Sequence, residues 1–132
     1  MKFIVKQVDI PNKNNRLYPR SVMQNAIDEY TKNFIVEKRG FLCGKQPETS
    51  FVSLMDVIGL IKSIEINDNN YVIADIQQIN ANNASEIWPL LYEKKLSITS
   101  AGMGTLVNRP DGISVVQDDF ELISLFVTGD QA

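Results

Sequence analysis

Two clusters of turn-forming residues, Asn67-Asp68-Asn69-Asn70 and Asn108-Arg109-Pro110-Asp111-Gly112, each separate two runs of β-type apolar residues. Asparagine and aspartate tolerate left-handed backbone and bond their own main chain. Proline presets a turn, and glycine takes positive φ without a Cβ clash. Runs joined by such short polar clusters leave no length for a crossover helix, so they must pair as antiparallel hairpins. The first hairpin is expected from Ser53–Ile66, which alternates best at Ile64 and Ile66 against Ser63 and Glu65, and from Tyr71–Ile79, with Val72, Ala74 and Ile76 on one face. Gly59 marks a bulge in the longer strand. The second set is Leu96–Leu106, Ile113–Gln117 and Phe120–Val127.

The rest of the chain supplies a first strand and two helices. Phe3–Ile10 reads as a strand that Pro11 ends, because proline cannot donate to a ladder. Asn12-Lys13-Asn14-Asn15-Arg16 follows as an ordered polar loop, and Pro19 suits a first helical turn. Val22, Met23, Ala26, Ile27 and Tyr30 then make one apolar face of a helix from Arg20 to about Asn33. Gly40 closes that region, and Phe41–Glu48 is a loop or short strand. Asn80–Asn83 is a further turn. Ala84, Ile87, Trp88 and Leu91 have helical spacing, Ser85 is a cap candidate, and Pro89 distorts the helix unless it lies in the first turn. Strands outnumber helices and hairpin links dominate. The expected class is α+β: a mainly antiparallel sheet or barrel with about two helices packed on it, in one domain over residues 1–132.

Composition excludes several functions. The net charge is -3, so no global basic field points to specific nucleic-acid binding. Cys43 is the only cysteine and there is no histidine, which argues against a disulfide, a zinc centre or any other metal site; no cofactor is expected. No stretch approaches the ~20 apolar residues of a membrane span. The start, Met1–Lys6, lacks the long apolar run of a signal peptide. A reducing, intracellular setting is expected.

Thr99-Ser100-Ala101-Gly102-Met103-Gly104 has the look of a nucleophile strand. A serine hydroxyl is a poor nucleophile until a neighbouring base takes its proton, and histidine is the usual base. The absence of histidine is therefore the chief chemical constraint.

Three segments together carry a resemblance. Asn12-Lys13-Asn14-Asn15-Arg16-Leu17-Tyr18-Pro19 followed by an amphipathic helix resembles the opening of the tailed-phage, myovirus-type prohead proteases, with their pattern Asn-x-Asn-x-Arg-x-Tyr-Pro. Thr99–Leu106 is similar to that family's Ser-Ser-x-Gly-x-Gly-x-Leu strand, with Ser100 at the nucleophile position. Gly112–Leu122 is similar to its closing hairpin, with Phe120 and Leu122 as the Phe-x-Leu pair. Order and spacing agree from about Val8 to Val127. The resemblance implies a β-barrel with surrounding helices, related to herpesvirus assembly proteins, and a task of cutting scaffold and capsid proteins inside a new phage head. It also implies a histidine before a proline in the loop after the first helix. Here that stretch is Gly44-Lys45-Gln46-Pro47, so Gln46 stands where the base belongs, and a glutamine amide does not take up a proton at neutral pH. Val127 stands where the family carries an acid. Loss of the base costs many orders of magnitude in rate.

Each residue has a structural reading beside its chemical one. Ser100 is either a vestigial nucleophile or a small residue at a close backbone contact. Lys45, Lys94 and Lys95 are the nearest partners for a Ser-Lys pair, but they sit among polar neighbours and read as solvated charges. Gly102 and Gly104 either offer oxyanion amides or permit a tight bend. Arg16 and Tyr18 either touch substrate, or else Arg16 ties the asparagine loop and Tyr18 packs beneath the helix. Asp118, Asp119 and Glu121 alternate in direction along a strand and so do not converge on a cation. Trp88, Leu91 and Tyr92 read as core or as a partner surface, and Cys43 as a small buried apolar residue.

The expected function is a non-catalytic, capsid-associated structural protein, an auxiliary or decoration protein on an inactivated prohead-protease fold. It would bind the major capsid protein or other head proteins, form homo-oligomers, assemble in the host cytoplasm and stay in the virion. The alternative is an active or deliberately inactivated prohead serine protease. A third reading, a viral binding module with only a topological likeness, requires Ser100 and Gln46 to lie far apart.

Overall fold

The computed structural model describes residues 1–49, 52–79 and 84–129. Nine strands and two α-helices are described: β1 (Lys2–Gln7), β2 (Arg16–Leu17), α1 (Arg20–Tyr30), β3 (Phe41–Cys43), β4 (Val57–Ile66), β5 (Tyr71–Gln78), α2 (Ala84–Tyr92), β6 (Ser97–Met103), β7 (Leu106–Asn108), β8 (Ser114–Val116) and β9 (Glu121–Thr128). Six strands form one sheet in the order β1-β5-β4-β3-β9-β6, and a small sheet has the order β2-β8-β7. Pairing is antiparallel except for β3 with β9 and β2 with β8. The large sheet curls until its two edge strands, β1 and β6, approach each other. This is the α+β class that the hairpin signals imply.

The two turn clusters act as expected. β4 and β5 are joined across Asn67–Asn70, where Asn67 Oδ1 accepts from the backbone N–H groups of Asn69 and Tyr71, and Asn70 takes φ 65°. β7 and β8 are joined across the second cluster, with Gly112 at φ 87°. The loop after β1 repeats the device: Asn12 Oδ1 accepts from the N–H groups of Asn14 and Arg16, and Asn15 takes φ 58°. The side chain that ties this loop is thus Asn12, not Arg16.

Helix α1 buries Val22, Met23, Ala26, Ile27 and Tyr30, the five residues of the apolar stripe, against β4 and β9. Pro19 stands one residue before the helix, and the carboxylate of Asp9, an element away, accepts from the N–H of Arg20. The helix ends at Tyr30 and passes into a π turn, Thr31–Ile35. Its stop comes from Lys38 at φ 58°, with the N–H groups of Lys38 and Arg39 bonding back to Ile35 and Phe34, a left-handed C-terminal cap. Gly40 has a different role from the expected stop: a Cβ there would lie 2.9 Å from Ile35 Cγ1.

Several boundaries differ from the sequence reading. β1 stops at Gln7, because Val8 and Asp9 bond to loops instead of continuing the ladder. Ser53–Ile66 is not one strand: Leu54–Asp56 make a 3₁₀ turn before β4. The register shifts between Leu42 and Cys43, beside Gly59, and again between Ile61 and Ser63. Leu96–Leu106 divides into β6 and the start of β7. Ser85 lies inside α2 instead of capping it, and Pro89 stands within the helix. The bond that Pro89 cannot donate would have gone to Ser85, an exposed residue of the first helical turn. The expected turn at Asn80–Asn83 lies outside the described residues. Trp88 is 1% exposed and donates its indole N–H to the Ile58 carbonyl, which fixes α2 on the sheet. Tyr92, by contrast, is exposed at 46%.

Candidate active-site cleft

Ser100 lies on β6 opposite Leu125 of β9, and Ile98 lies opposite Val127. Cross-strand partners share a face, and side chains two apart along a strand share it too. Leu125, Ile98 and Val127 are all buried, so Ser100 points to the inner side of the curl. Its Oγ is enclosed and makes no hydrogen bond among the described residues. An enclosed hydroxyl without a partner is uncommon and asks for an explanation.

Beside Ser100 the strand is shaped by Phe120. A Cβ on Gly102 would lie 2.4 Å from the Phe120 ring, and one on Gly104 would lie 2.9 Å from Phe120 Cα. Gly102 therefore admits the aromatic ring and Gly104 the close approach of the Phe120 backbone, which supports their structural reading. Phe120 meets Tyr18 edge-on at 5.5 Å between centroids, and the amine of Lys6 sits 3.6 Å above the Tyr18 ring. A row of contacts thus runs from Gly102 and Gly104, at the end of β6, to Lys6 near the end of β1.

These groups line one open cleft of about 830 Å³. Ser100, Gln46, Gly102, Gly104, Arg16 and Tyr18 all border it. The topological-coincidence reading is disfavoured, since Ser100 and Gln46 share a cleft. The three lysines weighed from sequence do not border it. Lys45 faces Asp56 at 4.0 Å, Lys95 faces Glu93 at 3.3 Å, and Lys94 holds the left-handed turn after α2 at φ 60°.

Two other lysines border the cleft: the exposed Lys13, and Lys6, which sequence reasoning missed. Lys6 lies opposite the fully buried Val72, so it too faces inward. Burial pushes its amine down from 10.5 to about 7, and the nearby Arg16 guanidinium adds to the effect. Among the described residues no carboxylate pairs with it. The only available signal was a charged residue in an apolar strand, which usually means an outward-facing one.

The remaining candidates are structural. Val127 is core and cannot act as an acid. Asp119 accepts from the N–H and hydroxyl of Thr105, and no cluster of three possible metal ligands occurs among the described residues. Cys43 is buried, and burial raises its thiol above the ordinary value, so it is not a nucleophile. No described helix is long and apolar enough to cross a membrane.

The cleft thus lies against the edge strand that carries Ser100, with Gly102 and Gly104 beside it. The profile of the prohead core protein serine protease family matches residues 1–129, and the chain belongs to that family. Among solved structures it is similar to the bacteriophage T4 capsid assembly protease, gp21, with a TM-score of 0.83, 20% identity, and coverage of 96% of this chain and 79% of the other. At that identity the likeness speaks for the fold. No curated protein matches in sequence.

Proposed function

We propose that this chain is a non-catalytic component of a phage head, an auxiliary protein that keeps the prohead-protease fold and has lost its acid–base machinery. The supporting observation is the state of Ser100: its hydroxyl is enclosed and has no hydrogen-bond partner among the described residues, in a chain with no histidine, where the resemblance sets Gln46 and Val127 at the family's base and acid positions. Residues 1–132 act as one unit that binds the major capsid protein or another head protein, either alone or as an oligomer. Binding uses loops and edge strands, which can accept an added strand. Assembly takes place in the host cytoplasm, and the protein stays in the virion. Incubation with scaffold and capsid peptides should give no cleavage, and purified virions should hold the chain in fixed ratio to the shell subunit. Cleavage that disappears in Ser100→Ala would overturn this reading.

The second reading is a prohead serine protease inactivated at one position. It is favoured by the shared cleft of Gln46 and Ser100. It requires Gln46→His to restore peptide cleavage with the fold intact.

A further inference from the structure

A guanidinium carries five N–H donors and keeps its charge at any ordinary pH. Three of the four arginines find acceptors within the described residues. Arg20 donates to Asn70 Oδ1 and to the carbonyls of Ile66 and Asn67, Arg39 to the carbonyl of Asn33, and Arg109 to the carboxylate of Asp111. The fourth, Arg16, has a side chain with no hydrogen bond and no ion pair among the described residues. An exposed guanidinium by itself is met by water. This one borders the cleft together with Lys6 and Lys13, and neither lysine pairs with a carboxylate among the described residues. The carboxylate that borders the cleft is Glu48, and it forms no ion pair there either. Three cations thus face one carboxylate, in a chain whose net charge is -3. A cleft lined by one sign of charge focuses its field and draws in the opposite sign.

The three cations are presented on ordered parts of the fold. The Lys6 amine rests 3.6 Å above the Tyr18 ring, and its N–H groups have no acceptor among the described residues. Lys13 and Arg16 stand on a loop that closes on itself. Asn12 Oδ1 accepts from the N–H groups of Asn14 and Arg16, and the Asn12 N–H donates to the Arg16 carbonyl. The Asn15 carbonyl accepts from the N–H of Ser114 on β8, which ties the loop to the small sheet. Lys6, Asn12 and Lys13 also border an adjoining recess of about 200 Å³. Burial first and the Arg16 charge second bring the Lys6 amine down to about 7. A place that penalises one cation beside another is relieved by an anion between them. The apolar side chains of Met103, Leu106, Val116 and Phe120 border the same cleft.

We propose that this cleft binds a phosphate monoester, its phosphoryl dianion held by Arg16, Lys6 and Lys13 and its small organic body laid against the apolar wall. The charge balance selects this class. A single carboxylate or phosphodiester answers one cation, whereas a monoester loses its second proton near pH ~6 and is close to a dianion at neutral pH. Its three terminal oxygens suit the fork of a guanidinium and the point charge of each ammonium. The volume of about 830 Å³ is within the range of small-ligand clefts. No bond is made or broken, and the enclosed Ser100 hydroxyl takes no part. The site does not depend on the non-catalytic reading.

The test uses the whole chain, nitrogen-labelled, in an amide NMR titration at neutral pH and constant ionic strength. Phenyl phosphate is the probe, with inorganic phosphate and a glutamate-containing peptide as separate arms. Saturable shifts are expected in the Asn12–Arg16 loop and around Lys6, with phenyl phosphate binding about tenfold or more tightly than inorganic phosphate, because the ring leaves water. Arg16→Gln, Lys6→Met and Lys13→Gln should each weaken the phenyl phosphate complex by about tenfold, the loss of one charge-assisted hydrogen bond. Lys32→Gln removes an exposed cation away from the cleft and should change nothing. Circular dichroism checks that each variant is folded. Absence of saturable shifts up to ~10 mM phenyl phosphate would overturn the proposal. Inorganic phosphate binding as tightly as phenyl phosphate would overturn the monoester class, and tighter binding of the glutamate peptide would overturn the choice of phosphate. An equal loss in Lys32→Gln would reduce the effect to overall charge and remove the site. Ser100-dependent peptide cleavage would sink the non-catalytic reading and leave this site standing.

Discussion

Replacing Lys6 by methionine should stabilise the fold at pH 6 and change it little near pH 11. The amine falls from 10.5 to about 7 on folding, chiefly because burial penalises the ammonium and secondarily because Arg16 repels it. A tenfold change in proton affinity is worth about 1.4 kcal/mol, so keeping Lys6 charged in the fold costs about 5 kcal/mol. The contact with Tyr18 favours the charged form by about 0.5–2 kcal/mol and trims the net to about 3–5 kcal/mol. The sign follows from proton binding. Between pH 7 and 10.5 the unfolded chain holds more protons at this site, so wild-type stability rises with pH across that window. Below about pH 7 the whole penalty is present, and above 10.5 it is gone. Methionine keeps the length and apolar stem and carries no charge. Urea denaturation of both proteins at pH 6, 8.5 and 11 checks the reasoning. Taking the difference between them cancels the titration of other groups. The advantage of Lys6→Met should shrink from about 3–5 kcal/mol at pH 6 to little at pH 11. A difference that does not vary with pH would refute the claim that Lys6 is a buried, depressed amine.

Gly102→Ala should lower stability by about 1–3 kcal/mol in denaturant titrations, because its Cβ would meet the Phe120 ring at 2.4 Å. Gly112→Ala tests a different cause, since nothing lies within 4 Å of its Cβ and only its φ of 87° resists a side chain; a loss of about 1–2 kcal/mol is expected in the same assay. Trp88→Phe removes one of the two N–H groups that bond the Ile58 carbonyl, which keeps the Ile79 N–H at 3.0 Å, and should cost about 0.5–1.5 kcal/mol, measured by urea unfolding. The Cys43 thiol should resist iodoacetamide in the folded protein and react promptly in denaturant, being buried with its ionisation suppressed.

Much of the scaffold was legible because its causes are local. Asparagine clusters made the turns at Asn12–Asn15 and Asn67–Asn70 through bonds to their own backbone, and the α1 stripe named all five residues that the helix buries. Helix ends were less legible. Asp9 caps α1 from another element, and Lys38 closes the following turn, where glycine was the expected stop. Ser100 and Gln46 were singled out by resemblance alone; both border the cleft, and that assigns neither a role.

The order of residues by itself determined the hairpins, the amphipathic helix and the absence of any imidazole, since period, turn chemistry and composition are properties of neighbouring positions. Only the tertiary structure decided what Lys6 is. Closing the sheet carries β1 to β6, turns that amine inward beside Arg16 and Tyr18, and strips away the water that would have kept it an ordinary cation. Desolvation is set by everything that surrounds a group, and no stretch of sequence contains that information.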